Sequence, residues 1–296
     1  MHGFLNINKD SGMTSFDVLR KIKQLIPKTK LGHLGTLDPM ATGVLPVALG
    51  HATRLIEYIE DQEKTYRAQM TLGGVSDTQD AWGKIEKTGV IRYGSEELVP
   101  ILAEFTGTIE QIPPMYSAVH HQGQRLYELA RQGVEVERSP REVKITSLQM
   151  LSQHSDGEGN PVIELEITCS KGTYVRTLCH DIGQRLGTGA YMSRLTRTRA
   201  GMFAISQALT LAELEKITAQ LNEHIIPLDV PLRHWPALTL ESQEGIMRIT
   251  NGNHIKAPAG SAGMMRIYHP EGHLMAIARI VSEPAYTLAQ PVKVFK

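Results

Sequence analysis

Cysteine is nearly absent from this chain: its 296 residues contain two, Cys169 and Cys179. So few thiols, at a spacing that fits no zinc-ligand pattern, exclude a disulfide scaffold and point to a reducing, cytoplasmic setting. Excess charge of one sign is also absent. Lys and Arg number 31, and Asp and Glu number 31, which excludes a global electrostatic pull toward nucleic acid. No apolar run approaches the roughly 18 residues a membrane span needs. The opening residues MHGFLNINKD carry no signal-peptide pattern, so neither secretion nor membrane insertion is expected. There is no internal repeat and no low-complexity tract, which excludes a solenoid or a long disordered tail.

Hydrophobic residues make up 41% of the chain, ample for a buried core. The length suits one large domain plus a small one, or two of medium size. Charge is balanced overall but uneven locally. Arg20 to His33 contains Arg20, Lys21, Lys23, Lys28 and Lys30 without an acid, and Ile182 to Ala200 contains Arg185, Arg194, Arg197 and Arg199 without one. Charge alone does not separate a surface that grips a phosphate backbone from an ordinary salt-bridged one.

Periodicity supplies the elements. A helix is expected over residues 14–26: Thr14 and Asp17 suit a capping box, Phe16, Leu19, Ile22 and Ile26 share a face, and Pro27 ends the run. Tyr66, Ala68, Met70 and Leu72 alternate with polar residues, as in a half-buried strand. A polar loop GVSDTQDAWGK follows. Residues 95–105 read as a short helix, and 120–141 as an exposed excursion. Ile163, Leu165, Ile167 and Cys169 mark a second strand, broken at Ser170–Thr173 and followed by a helix that buries Val175, Leu178, Ile182 and Leu186. Another helix is expected from Thr210 to Leu221. Ile226 to Pro236, with three prolines, reads as a linker. After it, a hairpin with arms at Met264–Tyr268 and Leu274–Ile280 anchors a small all-β module.

The most informative segment is GHLGTLDPMATGVLP, Gly32 to Pro46. Three glycines and two prolines in fifteen residues read as a loop rather than a helix or strand interior. Its strongest nucleophile or base is Asp38, which Pro39 restricts to extended geometry. An Asp in such a loop is either a turn residue or a reacting group. His33 is either a loop histidine or a functional one; its spacing fits no metal motif. Tyr66 belongs either to the core or to a site beneath the sheet. Lys171–Thr173 lies at a strand-to-helix junction, but it lacks the upstream glycine of a phosphate-binding P-loop. Arg176 falls in the first turn of the helix that follows, where the helix dipole opposes a cation, so it calls for an anionic partner.

These pieces together resemble one family. GHLGTLDPMATGVLP is similar to the catalytic motif of the TruB family of tRNA pseudouridine-55 synthases. INKDSGMTSFDVLRKIK, KTYRAQMTLGGVSDTQDAWG, IPPMYSAVHHQGQRLYELARQG, CSKGTYVRTLCHDIGQRLG and SRLTRTRAG resemble its other motifs, in the same order. The resemblance covers nearly the whole chain. It implies an α+β fold, with a central mixed, largely antiparallel sheet flanked by helices over residues 1–235. A small all-β, PUA-like RNA-binding domain is implied over 236–296. Two departures stand out. Lys9-Asp10 replaces the usual Lys-Pro, and His120-His121 stand where a lysine is common.

What the resemblance implies chemically is the isomerisation of a uridine in the T-loop of tRNA, without cofactor or metal. Asp38 matches the catalytic aspartate, Arg176 the arginine that pairs with it, and Tyr66 the tyrosine that stacks on the target base and assists proton removal at C5. His33 matches the residue that fills the gap left by a flipped base. Tyr174 and Leu195 match pocket-lining positions, and Lys9 a supporting lysine. The excursion after His120 is expected to clamp the RNA. A stand-alone monomer, needing no protein partner, is expected to do this in the cytoplasm.

Overall fold

The alternation at residues 64–72 builds the middle of the molecule. In a computed structural model that describes residues 1–59, 62–89, 94–283 and 286–295, Lys64–Leu72 is a strand whose Tyr66, Ala68, Met70 and Leu72 are all buried on one face. In chain order the elements are β1 (Gly3–Lys9), α1 (Ser15–Leu25), β2 (Leu31–His33), β3 (Thr42–Leu49), α2 (Ile56–Ile59), β4 (Lys64–Leu72), β5 (Gly74–Ser76), β6 (Ile85–Lys87), α3 (Ser95–Glu104), β7 (Gly107–Gln111), β8 (His120–His121), β9 (Gln124–Arg125) and α4 (Leu126–Arg131). Then come β10 (Arg141–Ser155), β11 (Pro161–Cys169), α5 (Val175–Arg185), β12 (Ala190–Ala200), β13 (Phe203–Ala204), α6 (Leu211–Lys216), β14 (Ala237–Thr239), α7 (Gln243–Thr250), β15 (Ile255–Lys256), β16 (Met264–Tyr268), β17 (Leu274–Glu283) and β18 (Tyr286–Val294).

The main sheet runs β1-β3-β12-β4-β11-β10-β7, with β2 on β3 and β13 on β12. Its pairs are antiparallel except β12 with β3. The sheet is therefore mixed and largely antiparallel. α1, α3, α5 and α6 contribute Leu19, Ile22, Leu98, Leu178, Ile182 and Leu214 to the core beneath its Tyr66 face. Among the described residues, no helix is long and apolar enough to cross a membrane. Residues 237–294 hold a second sheet, β14-β16-β17-β18-β15, which carries one helix, α7, on Ile249.

Three expectations need correction. Phe16 is 64% exposed, and Val18 takes the buried place instead, because the helix turns its Ser15, Val18, Leu19 and Ile22 face inward. Gly32–Pro46 is not one loop but a hairpin, since both its ends are strand. Pro46 stands inside β3 where its edge changes partner, from β12 at Thr42–Gly43 to β2 at Val47–Leu49, and its carbonyl accepts from the Leu34 N–H (2.9 Å). Ile226–Pro236 is not a free linker. Ile226 pairs with Phe4, and Leu232 is fully buried in a second core that also contains Phe4, Leu34, Val44 and Ile277.

The excursion has local order. Gln122 and Gly123 both adopt positive φ, the requirement of a tight two-residue hairpin, and they join β8 to β9. Leu126 at the start of α4 is buried.

Candidate active site

Asp38 lies in the turn between β2 and β3, and nearly every backbone group around it is tied down. The Ala41 N–H donates to the Asp38 carbonyl (3.0 Å). Ser15 uses its hydroxyl both ways on Leu37, accepting from its N–H (2.9 Å) and donating to its carbonyl (3.2 Å). The Pro39 carbonyl accepts from the Gly12 N–H (2.9 Å), and the Met40 carbonyl from the Ser11 hydroxyl (3.1 Å). Leu34, Leu37, Met40 and Ala41 plug into the core. The apolar residues of the turn thus pin it down and leave the Asp38 carboxylate at the surface, 35% exposed.

Lys9 completes the tether from the last position of β1. Its ammonium has three donors and meets three carbonyls, those of Asp10 (2.9 Å), Met13 (2.7 Å) and Pro39 (3.3 Å). The turn therefore closes although Asp10 stands in place of a proline. Burial pushes the Lys9 pKa down to about 8, and the nearby Asp38 charge opposes that fall.

Arg176 has the anion its position requires. Its Nη2 lies 3.6 Å from Asp38 Oδ2, and its Nη1 lies 3.5 Å from Asp80 Oδ2. Nη2 also donates to the Tyr116 carbonyl (2.6 Å). Arg176 is buried, as is Asp80. Asp80 is held in turn by the Thr78 hydroxyl (2.8 Å) and the Trp82 N–H (3.0 Å), both donating to Oδ1. The loop that carries it is fixed by Gln79, a non-glycine at φ +64, whose side chain accepts from the Thr177 hydroxyl (2.7 Å).

A second buried arginine, Arg197, faces the turn from β12. Its Nε donates to the Val44 carbonyl (2.7 Å), Nη2 to Gly35 (3.0 Å) and Nη1 to Thr36 (3.4 Å). Its charge also lies close to the Tyr66 hydroxyl. The strands approach so closely here that a Cβ on Gly43 would stand 2.2 Å from the Arg197 carbonyl, which leaves room for glycine alone. Burial raises the Tyr66 pKa, and the Arg197 charge counters part of that rise. The phenol is neutral at physiological pH.

The turn thus collects Asp38, Arg176, Lys9 and Tyr66. Tyr174 caps α5 with its ring 5.9 Å from the Arg176 guanidinium, and Gln111 grips its backbone from both sides (2.7 and 3.1 Å). Leu195 is buried in β12 opposite Ala68, two residue pairs along from Tyr66 and so on the same face. His33 ends β2 opposite Val47, half-buried at the far end of the turn. Asp80 and Arg197 are the members that sequence reasoning missed. The basic stretch that contained Arg197 is less of a surface than its composition implies. Arg197 is fully buried, and Arg185 is paired with Glu104 (2.8 and 2.9 Å).

One exposed carboxylate among Arg176, Lys9 and Arg197 is a poor donor set for a divalent metal, which needs several anionic or neutral ligands. Among the described residues the grouping that offers three such ligands is His269, Glu271 and His273, in the distant β16–β17 turn. A cavity of about 640 Å³ lined by Glu63, Thr65, Thr168 and Arg199 lies on the other face of the sheet from Tyr66.

Residues 23–175 match the family model for the N-terminal domain of the TruB family pseudouridylate synthases, and residues 176–233 match the tRNA pseudouridylate synthase B C-terminal domain. The chain is 51% identical to the tRNA pseudouridine synthase B of Syntrophomonas wolfei, over 100% of this chain and 99% of that protein. It is 43% identical to the protein of the same name from Heliobacterium modesticaldum, over 100% and 96%. Among solved structures, it is similar to a chain of a Cbf5-Nop10-Gar1 complex, with a TM-score of 0.74 and 28% identity, covering 99% of this chain and 84% of that one.

Proposed function

We infer, because the chain belongs to the TruB family of pseudouridylate synthases, that it converts uridine 55 in the T-loop of tRNA to pseudouridine. The observation that carries this reading is the placement of Asp38: a rigidly held, partly exposed carboxylate beside a buried arginine. The reaction breaks the N1–C1′ bond, turns the uracil and rejoins it through C5. The C5 proton leaves and N1 gains one, so the substrate supplies every heavy atom.

Asp38 is the reacting group. At 3.6 Å its contact with Arg176 is longer than the 2.7–2.9 Å of a full charge-assisted hydrogen bond. The cation therefore stands beside the carboxylate without saturating its oxygens. Asp80, at 3.5 Å from the other guanidinium nitrogen, keeps Arg176 from closing on Asp38. Reaching C1′ requires the base to leave its stack, at a cost of a few kcal/mol. Stacking on Tyr66 and insertion of His33 offset part of it. Tyr66 contributes as a neutral phenol, because burial disfavours its phenolate. Tyr174 and Leu195 line the same pocket, and Lys9 steadies the turn.

The wider reading follows the same lines. Residues 236–296 serve as a PUA-like RNA-binding domain, and the excursion 120–141 closes over the RNA. The protein acts in the cytoplasm as a stand-alone monomer. The decisive experiment is tritium release from a tRNA transcript labelled at uridine C5. Wild type releases the label, and Asp38→Asn binds the transcript but releases none. Normal release by Asp38→Asn would refute the assignment.

A further inference from the structure

We propose that Trp82 is a stacking platform for a nucleobase of the bound RNA, next to the reacting uridine pocket; the inference rests on the reading of this site as an RNA-modifying one. The chain has only two tryptophans. Trp235 is spent on structure, edge-on to Tyr58 at 5.9 Å. Trp82 is 59% exposed, although burying an indole is among the largest hydrophobic gains a side chain offers.

Its position is tied to the chemistry. The Trp82 N–H donates to Asp80 Oδ1 (3.0 Å), Asp80 Oδ2 meets Arg176 (3.5 Å), and Arg176 meets Asp38 (3.6 Å). Three links thus run from the backbone of Trp82 to the Asp38 carboxylate. The turn that displays it is rigid. The Ala81 N–H donates to the Met192 carbonyl (2.9 Å), and the Lys84 N–H to Asp77 Oδ1 (2.8 Å). A Cβ on Gly83 would meet Asp77 Oδ1 at 2.1 Å and Thr78 Oγ1 at 2.3 Å, so the turn is packed to the limit. A turn this rigid leaves only the side chain of Trp82 to be ordered when the ring takes a ligand. An exposed ring whose backbone is tied in this way to Asp38 is offered to an RNA whose uridine reaches that carboxylate. Every base offers a flat π-face to it, whatever the sequence.

The test is steady-state isomerisation of a C5-tritiated T-stem-loop RNA by wild type, Trp82→Ala and Trp82→Phe, with tryptophan fluorescence followed over the same RNA titration. Stacking predicts that Trp82→Ala raises KM about 10-fold with kcat within about twofold, and that the phenyl ring of Trp82→Phe recovers most of the loss. Wild-type fluorescence should be quenched with a midpoint matching RNA binding, and the quench should vanish in Trp82→Phe. A wild type that isomerises with unquenched fluorescence, or a Trp82→Ala enzyme with unchanged KM, overturns the platform and leaves the function standing. A fall in kcat at constant KM overturns it in favour of a positioning role through Asp80. A wild type that neither binds nor isomerises the RNA overturns both.

Discussion

Two arginines, Arg176 at the start of α5 and Arg197 near the end of β12, are buried around one turn and solve the same problem in opposite ways. Arg176 faces two carboxylates and one carbonyl. Arg197 faces three carbonyls and a phenol, with no carboxylate among those partners. One therefore organises charge and the other organises backbone. A buried guanidinium costs several kcal/mol to desolvate, and it persists only where all its surroundings are aligned. Around Arg197 those surroundings are peptide dipoles of the very turn that carries Asp38. Around Arg176 they are Asp38, the proposed reacting group, and its counterweight Asp80.

The contrast is broken most severely at Arg197. Arg197→Met should leave the Val44, Gly35 and Thr36 carbonyls without a donor and destabilise the fold by about 3–5 kcal/mol, read from urea unfolding. A variant that unfolds like wild type erases the distinction. Arg176→Lys keeps the charge and loses the fork. It should lower kcat about 100-fold while the melting temperature falls by only a few degrees. A large loss of stability with activity preserved would reverse the two roles. Asp80→Asn removes the counterweight and lets Arg176 close on Asp38. It should cost about 10-fold in kcat, or about 1.4 kcal/mol, with KM little changed. A rise in KM alone would assign Asp80 to RNA binding.

The smallest effect is expected at Lys9, the third cation at this turn. Its pKa is about 8 in the folded protein against an ordinary 10.5. Between those values the unfolded chain carries a proton that the folded one has lost, so the lysine adds stability as pH rises from 8 to 10.5. The stability of wild type relative to Lys9→Met should widen over that window in pH-dependent denaturation. A flat or narrowing difference would show that Lys9 is not buried as a cation.

Much of this is legible in the sequence where one local rule suffices. The alternation around Tyr66 gives its strand and its face, and a cation against a helix dipole foretells that Arg176 has an anion beside it. Arg197 is hidden because its neighbours in sequence are basic, so composition reads it as surface. Its spacing from Leu195 carries the missing signal, since residues two apart on a strand share a face. Asp80 is hidden for another reason. Nothing local separates it from Asp77, and only the turn at Gln79 and the bridge to Met192 carry it inward. The Gly32–Pro46 hairpin reads as a loop because glycine and proline serve close approach and a change of partner there, not disorder.

The second core joins parts that the chain separates by more than half its length. Leu34, from the turn before Asp38, and Ile277, from β17, belong to one buried cluster with Phe4 and Leu232. Outside it, Arg54 donates to the Val294 carbonyl (2.7 Å) and Lys293 meets Glu57 (2.8 Å). The C-terminal sheet is thus mortised into the body that holds the carboxylate, and cannot swing on a tether. If both parts grip one RNA, the span between them is a built-in caliper. The enzyme would select its uridine by a fixed reach as much as by the neighbouring bases.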